Sequence, residues 1–516
     1  MNKNGLIYDV EDKPKFGKLI VFALQQLLAI ITATIAVPTI IGLPAQIPAA
    51  ILGAGVGTIV YLLFTKFKSP VFLGSSFAFL DPLFVALAYG YCGIIVGTVF
   101  AGLVYVIIAI VIHFAGSKWV SKLMPPVIIG PTVALIGLSL AGNAMGDIVT
   151  ANKATLSNGS YNLVALLCGL TAFVVIIVCS TQKKWKSMKL IPFILGIVAG
   201  YSLAAFFSIF GYACHADYLK IINWDPIVDN FRHVKFTSFF DFPKFGAYEA
   251  IRELAHHNQT ITGAGVGELA IAFIPVALVV FAEHIADHKN LSSIIGRDLV
   301  EGQPGLEKTL LGDGVGSIAG TIFGICPNTT YGESVGCVAI TKNASVRTIF
   351  VAALMCIVLS FISPIMALLQ TIPSCVMGGV CLTLYGFIAV SGLKMFKNID
   401  LGENKNLFTV SAILIAGIGG LAIEIPYKLA RTDGMLQVSK TITITKIATA
   451  LILGIAVYAI MNAIEKRNAK IAPEATEEED GVESLVAGAV APNADFAIKG
   501  DIVTEDIVTE DIVSEK

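Results

Sequence analysis

Hydrophobic residues are collected in long runs along this chain, and short polar connections separate the runs. Most runs are close to the roughly 20 residues that an α-helix needs to cross a bilayer. Their lengths and the breaks between them predict about fourteen membrane-embedded segments, seven in each half of the chain. The segments are expected to start near residues 17, 46, 70, 89, 125, 161, 190, 266, 309, 325, 347, 374, 407 and 444. We therefore predict an all-α polytopic membrane protein.

Composition supports this class. Hydrophobic residues make up 55% of the chain and charged residues 14%, and the mean hydropathy is +0.79, whereas soluble domains carry about 25% charged residues. The nine cysteines show no CxxC pairing and lie mostly in apolar runs, so neither a disulfide framework nor a zinc site is predicted.

Basic residues indicate the orientation. In the first half they collect in every second connection: Lys66 and Lys68 follow the second segment, Lys118 and Lys122 the fourth, and four lysines within 183–189 the sixth. Cytoplasmic connections of membrane proteins carry an excess of Lys and Arg. Both termini are therefore predicted to be cytoplasmic, although the basic connection before the last segment runs against the pattern.

The third and tenth segments differ from the others, because polar residues, Gly and Pro lie at their centres. The third contains GSSFAF from Gly74, and the tenth contains PNTTYGES from Pro327. Ser-Ser-Phe-Ala and Thr-Thr-Tyr-Gly are alike in size and hydroxyl placement, and each belongs to the third segment of its half. Seven segments per half would place the second half upside down. Inverted repeats with broken helices at matching positions indicate the midplane binding site of a transporter.

Acids inside predicted segments cost about 2.5–3.5 kcal/mol each at the bilayer centre, and two of them stand out. Glu283 follows an apolar run, and Glu333 lies in PNTTYGES. Their carboxylates can accept hydrogen bonds from the ring N–H groups of a neutral heterocycle. Backbone N–H groups at a broken helix can donate to its carbonyl groups. We expect the segment around Thr329 and Thr330 to be extended, with Gly332 easing the break.

Asp287 and His288 follow Glu283 and have two interpretations. They belong to the same site and take part in proton transfer, or they are solvated residues at the membrane boundary, because Lys289 follows at once. A carboxyl group in a low-dielectric cavity binds a proton more readily, so paired acids would allow proton coupling without any other cofactor.

A different class of function uses the same residues. His284, Asp287 and His288 approximate the H-x-x-E-H spacing of inverted metalloproteases. The acid is Asp, no third ligand is evident, and Glu333 would be unexplained. An intramembrane metallohydrolase is the alternative, and we predict no metal site.

Several blocks resemble one known family in the correct order. They are QQLLAIITATIAVP, LGSSFAFLDP, FAEHIADHKNLSSIIGRDL, TLLGDG, PNTTYGESVGCVAITK and GGVCLTLYGFIAVSG. From about Gly17 to Lys466 the chain resembles the nucleobase–ascorbate (nucleobase:cation symporter-2) transporter family, and most of all its uracil-transporting branch.

The resemblance implies a fourteen-span, 7+7 inverted repeat with a core of spans 1–4 and 8–11 and a gate of spans 5–7 and 12–14. It also implies short antiparallel strands in spans 3 and 10. The expected divisions are an N-terminal tail at 1–16, core at 17–114 and 266–369, gate at 125–210 and 374–465, an external loop at 211–265, and an acidic disordered tail at 466–516.

The resemblance further implies proton-coupled uptake of uracil or a related nucleobase across the cytoplasmic membrane. A homodimer is expected, with no nucleic-acid partner and no cofactor besides protons. The residues that it implies for substrate binding are Glu283, Glu333, Phe77, Gly332, Tyr331, Ala29 and Tyr385. Those that it implies for proton coupling are Glu283, Asp287, His288 and Glu333.

Three positions bear on specificity. Glu333 stands where the purine-transporting branch usually has Gln, which favours uracil over xanthine. Ser334 stands where the family commonly has Asn, and Asp287 stands where bacterial uracil carriers often have His. A purine permease of the same fold and an anion carrier with this architecture remain alternatives.

Overall fold

The computed structural model describes residues 5–150, 161–182, 188, 191–257, 261–432 and 435–487. This part of the chain is almost entirely helical, with two two-stranded antiparallel sheets. The elements of the first half are α1 (Phe16–Ile40), α2 (Ile47–Phe64), β1 (Leu73–Ser75), α3 (Leu80–Leu87), α4 (Gly90–Ala115), α5 (Lys118–Leu123), α6 (Pro126–Ile148), α7 (Leu163–Thr181) and α8 (Pro192–Ala213).

The connection after α8 and the second half contain the remaining elements. They are α9 (Asp225–Phe231), α10 (Gly246–His257), α11 (Gly263–Ile295), α12 (Leu306–Phe323), β2 (Asn328–Thr330), α13 (Gly332–Thr341), α14 (Val346–Ser360), α15 (Ser363–Gln370), α16 (Ser374–Lys394), α17 (Asn404–Ile418), β3 (Ile423–Thr432), β4 (Met435–Ile444) and α18 (Lys446–Ala487). A helix or strand begins no more than three residues from each predicted segment start.

Nine helices in the described part of the chain are long and apolar enough to cross a membrane by themselves. Shorter apolar helices cover Phe77–Leu87, Val346–Ser360 and Asn404–Ile418. The third and tenth segments are short as helices because a strand takes up their first part. The class of an all-helical polytopic membrane protein is confirmed, and the number of fourteen crossings stays a prediction.

The strands of the two interrupted segments pair with each other. β1 and β2 are antiparallel, with Gly74 opposite Thr329, so the predicted short antiparallel strands are confirmed. A Cβ atom on Gly74 would lie 2.3 Å from the ring of Tyr331, so only glycine fits there. The pairing satisfies backbone groups that would otherwise be unpaired where no water is available.

The described residues before α1 pair with the second half of the chain. Tyr8 forms a parallel bridge with Asn343, in the connection between α13 and α14. Leu6 and Val10 are buried on either side of it, each 1% exposed. Alternating burial of this kind is the pattern of a strand, and the run was too short to be recognised in the sequence.

The connection between α8 and α11 and the C-terminal region add further structure. The connection holds α9 and α10, and its Gly246 N–H donates to the Gly324 carbonyl at 2.8 Å. A hairpin of β3 and β4 precedes α18, where the sequence indicates only a connection. The described part of a second unit, from Ile460, is helical through Ala487, and the disordered tail at 466–516 stays a prediction. The DIVTE copies lie outside the described residues.

Candidate functional site

A cavity of about 580 Å³ lies where the two interrupted segments meet α1 and α11. All but two of the predicted site residues line it. The predicted residues in its wall are Ala29, Phe77, Glu283, Asp287, Tyr331, Gly332 and Glu333. Residues that are far apart in sequence are therefore brought to one place, as the paired acids led us to expect.

Three carboxyl groups are found among the described residues that line this cavity. Glu283 and Asp287 are one turn apart on α11 and share a face of it, and Glu333 lies in the first turn of α13. Asp287 is 6% exposed, and its Oδ2 accepts a hydrogen bond from Thr330 Oγ1 at 2.8 Å. The alternative of Asp287 as a solvated boundary acid therefore does not fit its burial.

The main chain at the start of α13 is open to the cavity. Gly332 is exposed and lines the wall, and a Cβ atom placed on it would lie 3.7 Å from Asp287 Oδ1. The first N–H groups of a helix have no partners within the helix, and they attract groups of negative charge or partial negative charge. The interruption thus provides hydrogen-bond donors beside carboxyl acceptors.

Two predicted residues do not line the cavity. The ring of Tyr385 packs edge-on against Phe77, with 5.3 Å between the ring centroids, so it lies behind a lining residue. His288 is fully buried; its Nδ1 donates to the His284 carbonyl at 2.8 Å, and its Nε2 lies 2.8 Å from the Tyr61 hydroxyl.

A second polar cluster on α11 was missed in the sequence. His284 Nδ1 lies 2.7 Å from Asp313 Oδ2, and its Nε2 lies 3.1 Å from Thr309 Oγ1. These three side chains are inaccessible to solvent. They join α11 to α12, while His288 joins α11 to α2 through Tyr61. These contacts fix which face of α11 turns toward the cavity. In the sequence, only the acid in TLLGDG could have indicated this polar cluster.

The same contacts bear on the metal alternative. Both ring nitrogens of His284 and both of His288 have hydrogen-bond partners. The His284 and His288 rings stack at 4.1 Å between centroids and do not converge on a common point. This arrangement gives the metallohydrolase interpretation no support.

Three polar residues that line the cavity lie near the C-terminal ends of their helices. Ser180 lies at the end of α7, Asn290 near the end of α11, and Lys394 at the end of α16, and all three line the cavity. Their polar side chains contrast with the apolar wall formed by residues such as Val133 and Phe387.

In this helical membrane chain, two interrupted segments meet at a cavity lined with carboxyl groups. That combination is typical of a transport protein. Residues 17–425 match the family model Xan_ur_permease, described as a permease family. The chain belongs to this permease family, and it is a transporter and not an enzyme.

Three relatives cover most of the chain. The uracil permease of Bacillus caldolyticus is 36% identical over 89% of this chain and 95% of that protein. The uracil permease of Bacillus subtilis (strain 168) is 35% identical over 84% and 93%, respectively. The uracil permease of Escherichia coli (strain K12) is 31% identical over 81% and 88%.

Two solved structures share the fold. The transmembrane domain of a cyanobacterial bicarbonate transporter, BicA, aligns with a TM-score of 0.52 and 14% identity over 80% of this chain and 99% of that chain. The murine anion transporter Slc26a9, in its inward-facing state, aligns with a TM-score of 0.58 and 10% identity over 88% and 69%. At these identities the likeness concerns the fold alone.

Proposed function

We propose that this protein imports uracil across the cytoplasmic membrane together with protons, by alternating access. The observation that carries the proposal is that Glu283 and Glu333 line one cavity beside the open main chain of Gly332. The names of the relatives at 31–36% identity support uracil as the substrate.

The chemistry of the ring matches the groups available. Uracil carries two ring N–H donors, and the carboxylates of Glu283 and Glu333 are strong acceptors for them. Its carbonyl oxygens need donors, which the first N–H groups of α13 supply. The Phe77 ring offers an aromatic surface to a flat heterocycle, and Ala29 and Tyr331 complete the wall. Because Tyr385 packs behind Phe77, we assign it a supporting contact.

Proton coupling follows from the crowding of the acids. Three negative charges in a low-dielectric cavity would repel one another, so at least one carboxyl group favours its protonated form. We propose that Glu283, Asp287 and Glu333 share this role. His288 lies outside the cavity wall, so we expect it to act only through its position on α11.

The broader architecture belongs to the same proposal. The antiparallel pairing of β1 with β2, one from the third segment of each half, supports the inverted repeat of fourteen spans. The core at 17–114 and 266–369 and the gate at 125–210 and 374–465 would both contribute to the cavity. Ser180, Asn290 and Lys394 line the cavity near the C-terminal ends of their helices, before connections predicted to be cytoplasmic, which supports an inward-facing state. A homodimer is proposed from the family resemblance.

The fold alone also allows an anion carrier. The shared fold includes two anion transporters, but three carboxyl groups would repel an anion from this cavity. A purine permease is the nearer alternative, because it would use the same frame.

Uptake of radiolabelled uracil tests the proposal, in cells that lack their own uracil carrier. We expect excess unlabelled uracil to abolish uptake of the label and excess xanthine to leave that uptake unchanged. In proteoliposomes, a gradient with the interior more alkaline should drive accumulation, and a protonophore should remove it. If xanthine inhibits uptake and unlabelled uracil does not, the substrate is a purine. Uptake that does not depend on the proton gradient would exclude proton coupling.

A further inference from the structure

Ser334, the residue after Glu333, is the acceptor of two buried hydrogen bonds. Its Oγ is within hydrogen-bond distance of Gln26 Nε2, and it accepts the Phe72 N–H at 3.2 Å. Ser334 is 0% exposed and Gln26 is 2% exposed. Neither residue lines the cavity, so the contacts are internal to the protein.

Phe72 holds the other side of the same short segment. Its carbonyl accepts the Tyr331 N–H at 3.1 Å, while its N–H reaches Ser334. Gly332 and Glu333 therefore lie between two residues that are both fixed to Phe72. We call Gln26, Phe72, Tyr331 and Ser334 the clamp.

The clamp has a physical reason in the way the sheet ends. The ladder between β1 and β2 has Leu73 opposite Thr330, and Phe72 and Tyr331 extend it by one position. At Gly332 the chain turns into α13, so the ladder offers Phe72 no further backbone acceptor. The Ser334 hydroxyl replaces that acceptor, and a buried N–H group is kept from going unpaired.

Gln26 links the clamp to a second wall of the cavity. It lies on α1 one turn before Ala29, which lines the cavity. The serine side chain is short, and the long amide side chain of Gln26 reaches it across the interface between α1 and α13. The pair thereby sets how Glu333 and Ala29 are placed relative to each other.

We infer that Gln26 and Ser334 are positioning residues, which hold Glu333 and the Gly332 main chain in the geometry that binds the substrate. The inference rests on the proposed function, because it concerns affinity for uracil. It concerns two residues that do not touch the substrate themselves.

A double-mutant cycle tests the inference in the purified full-length protein. Ser334→Ala, Gln26→Leu and the double variant are compared with wild type by the equilibrium dissociation constant for uracil and by the midpoint of thermal unfolding. The loss of a hydrogen-bonded partner predicts about tenfold weaker binding by Ser334→Ala and a smaller loss by Gln26→Leu. The double variant should resemble Ser334→Ala alone, because the two residues form one unit.

Two further variants serve as controls. Thr98→Val removes a buried hydroxyl that donates to the Ile94 carbonyl of its own helix, and binding should stay at the wild-type level. Ser334→Thr keeps the hydroxyl acceptor, and it should bind more tightly than Ser334→Ala.

The outcomes separate the inference from the proposed function. Wild-type protein that binds no uracil overturns the proposed function. If wild type binds and Ser334→Ala binds equally well, or if the single effects simply add, the clamp has no positioning role. A lowered unfolding midpoint with an unchanged dissociation constant would also overturn it. Should Ser334→Ala not fold, Gln26→Leu decides the question, because its Ser334 keeps the bond from Phe72.

Discussion

The two interrupted segments have the same backbone plan and different chemistry. In one, β1 leads through a short 3-10 helix at Phe77–Phe79 into α3; in the other, β2 leads directly into α13. The two strands pair along their whole length. Yet the first segment presents Phe77 to the cavity, and the second presents Glu333.

The difference extends to the two halves of the chain. The three carboxyl groups among the described lining residues, Glu283, Asp287 and Glu333, all come from the second half. The similar backbone plan of the two segments therefore does not require the same functional groups. The first segment contributes the Phe77 ring to the cavity wall, while α11 and α13 contribute the three carboxyl groups, so the cost of burying these acids falls on the second half.

The largest effect should follow from removing the charge of the second segment. Glu333→Gln keeps the shape but turns a strong acceptor into a neutral amide, and we expect uracil uptake to fall on the order of a hundredfold. Glu307→Gln, which alters an acid paired with His113 at the surface, is the control and should transport normally. Near-normal uptake by a folded Glu333→Gln protein would remove Glu333 from the site.

A smaller loss should follow from disturbing the frame of the first segment. In Gly74→Ala the new Cβ would lie 2.3 Å from the Tyr331 ring. That ring cannot move freely, because its hydroxyl donates to the Ser75 carbonyl at 3.0 Å. Overpacking of this kind costs about 1–3 kcal/mol, so we expect roughly tenfold lower uptake and a lower unfolding midpoint.

The control for this variant is a glycine within a helix that has free space around it. Gly142→Ala in α6 meets no atom within 4 Å, and it should leave uptake unchanged. If Gly74→Ala behaves like Gly142→Ala, the close approach of the strand to Tyr331 has no role in transport.

Much of the difference between the two interrupted segments could be predicted from the sequence, because hydropathy and interruptions of an apolar run are local signals. The segment starts follow from apolar run length, and GSSFAF and PNTTYGES stand out by their polar residues and glycines. The strand pairing was predicted from the family resemblance. Glu283 and Glu333 were evident as acids in apolar surroundings.

What the sequence did not reveal depends on contacts between distant elements. Gln26 is one of two adjacent glutamines, and nothing local distinguishes it as the partner of Ser334. The structural role of Asp313 depends on its contact with His284, which is distant in sequence. Leu6 and Val10 are buried where Tyr8 pairs with Asn343. Asp287 lies in the cavity wall and His288 outside it, because neighbouring residues of a helix point in different directions around its axis.

A moderate effect should come from the contact between the second segment and α11. Thr330→Val removes the hydroxyl that donates to Asp287 Oδ2 at 2.8 Å. A hydrogen bond to a charged group is worth about 1.5–3 kcal/mol, and one to a neutral acid about 1 kcal/mol. We expect uptake to fall several-fold and its dependence on pH to shift, because the proton affinity of Asp287 changes with its partner. Thr98→Val is the matched control, and an unchanged pH profile would exclude Asp287 from proton coupling through this contact.

The smallest effect compares one hydroxyl from each segment. Thr329 Oγ1 and Ser76 Oγ are both buried and have no hydrogen-bond partner among the described residues, but only Thr329 lines the cavity. Burying an unpaired hydroxyl costs about 1–3 kcal/mol, so Thr329→Val and Ser76→Ala should both raise the unfolding midpoint. If the Thr329 hydroxyl contacts the substrate, Thr329→Val alone should weaken uracil binding, by a few-fold in a titration of the purified protein. Equal affinities in the two variants would show that the difference between the segments is confined to Glu333.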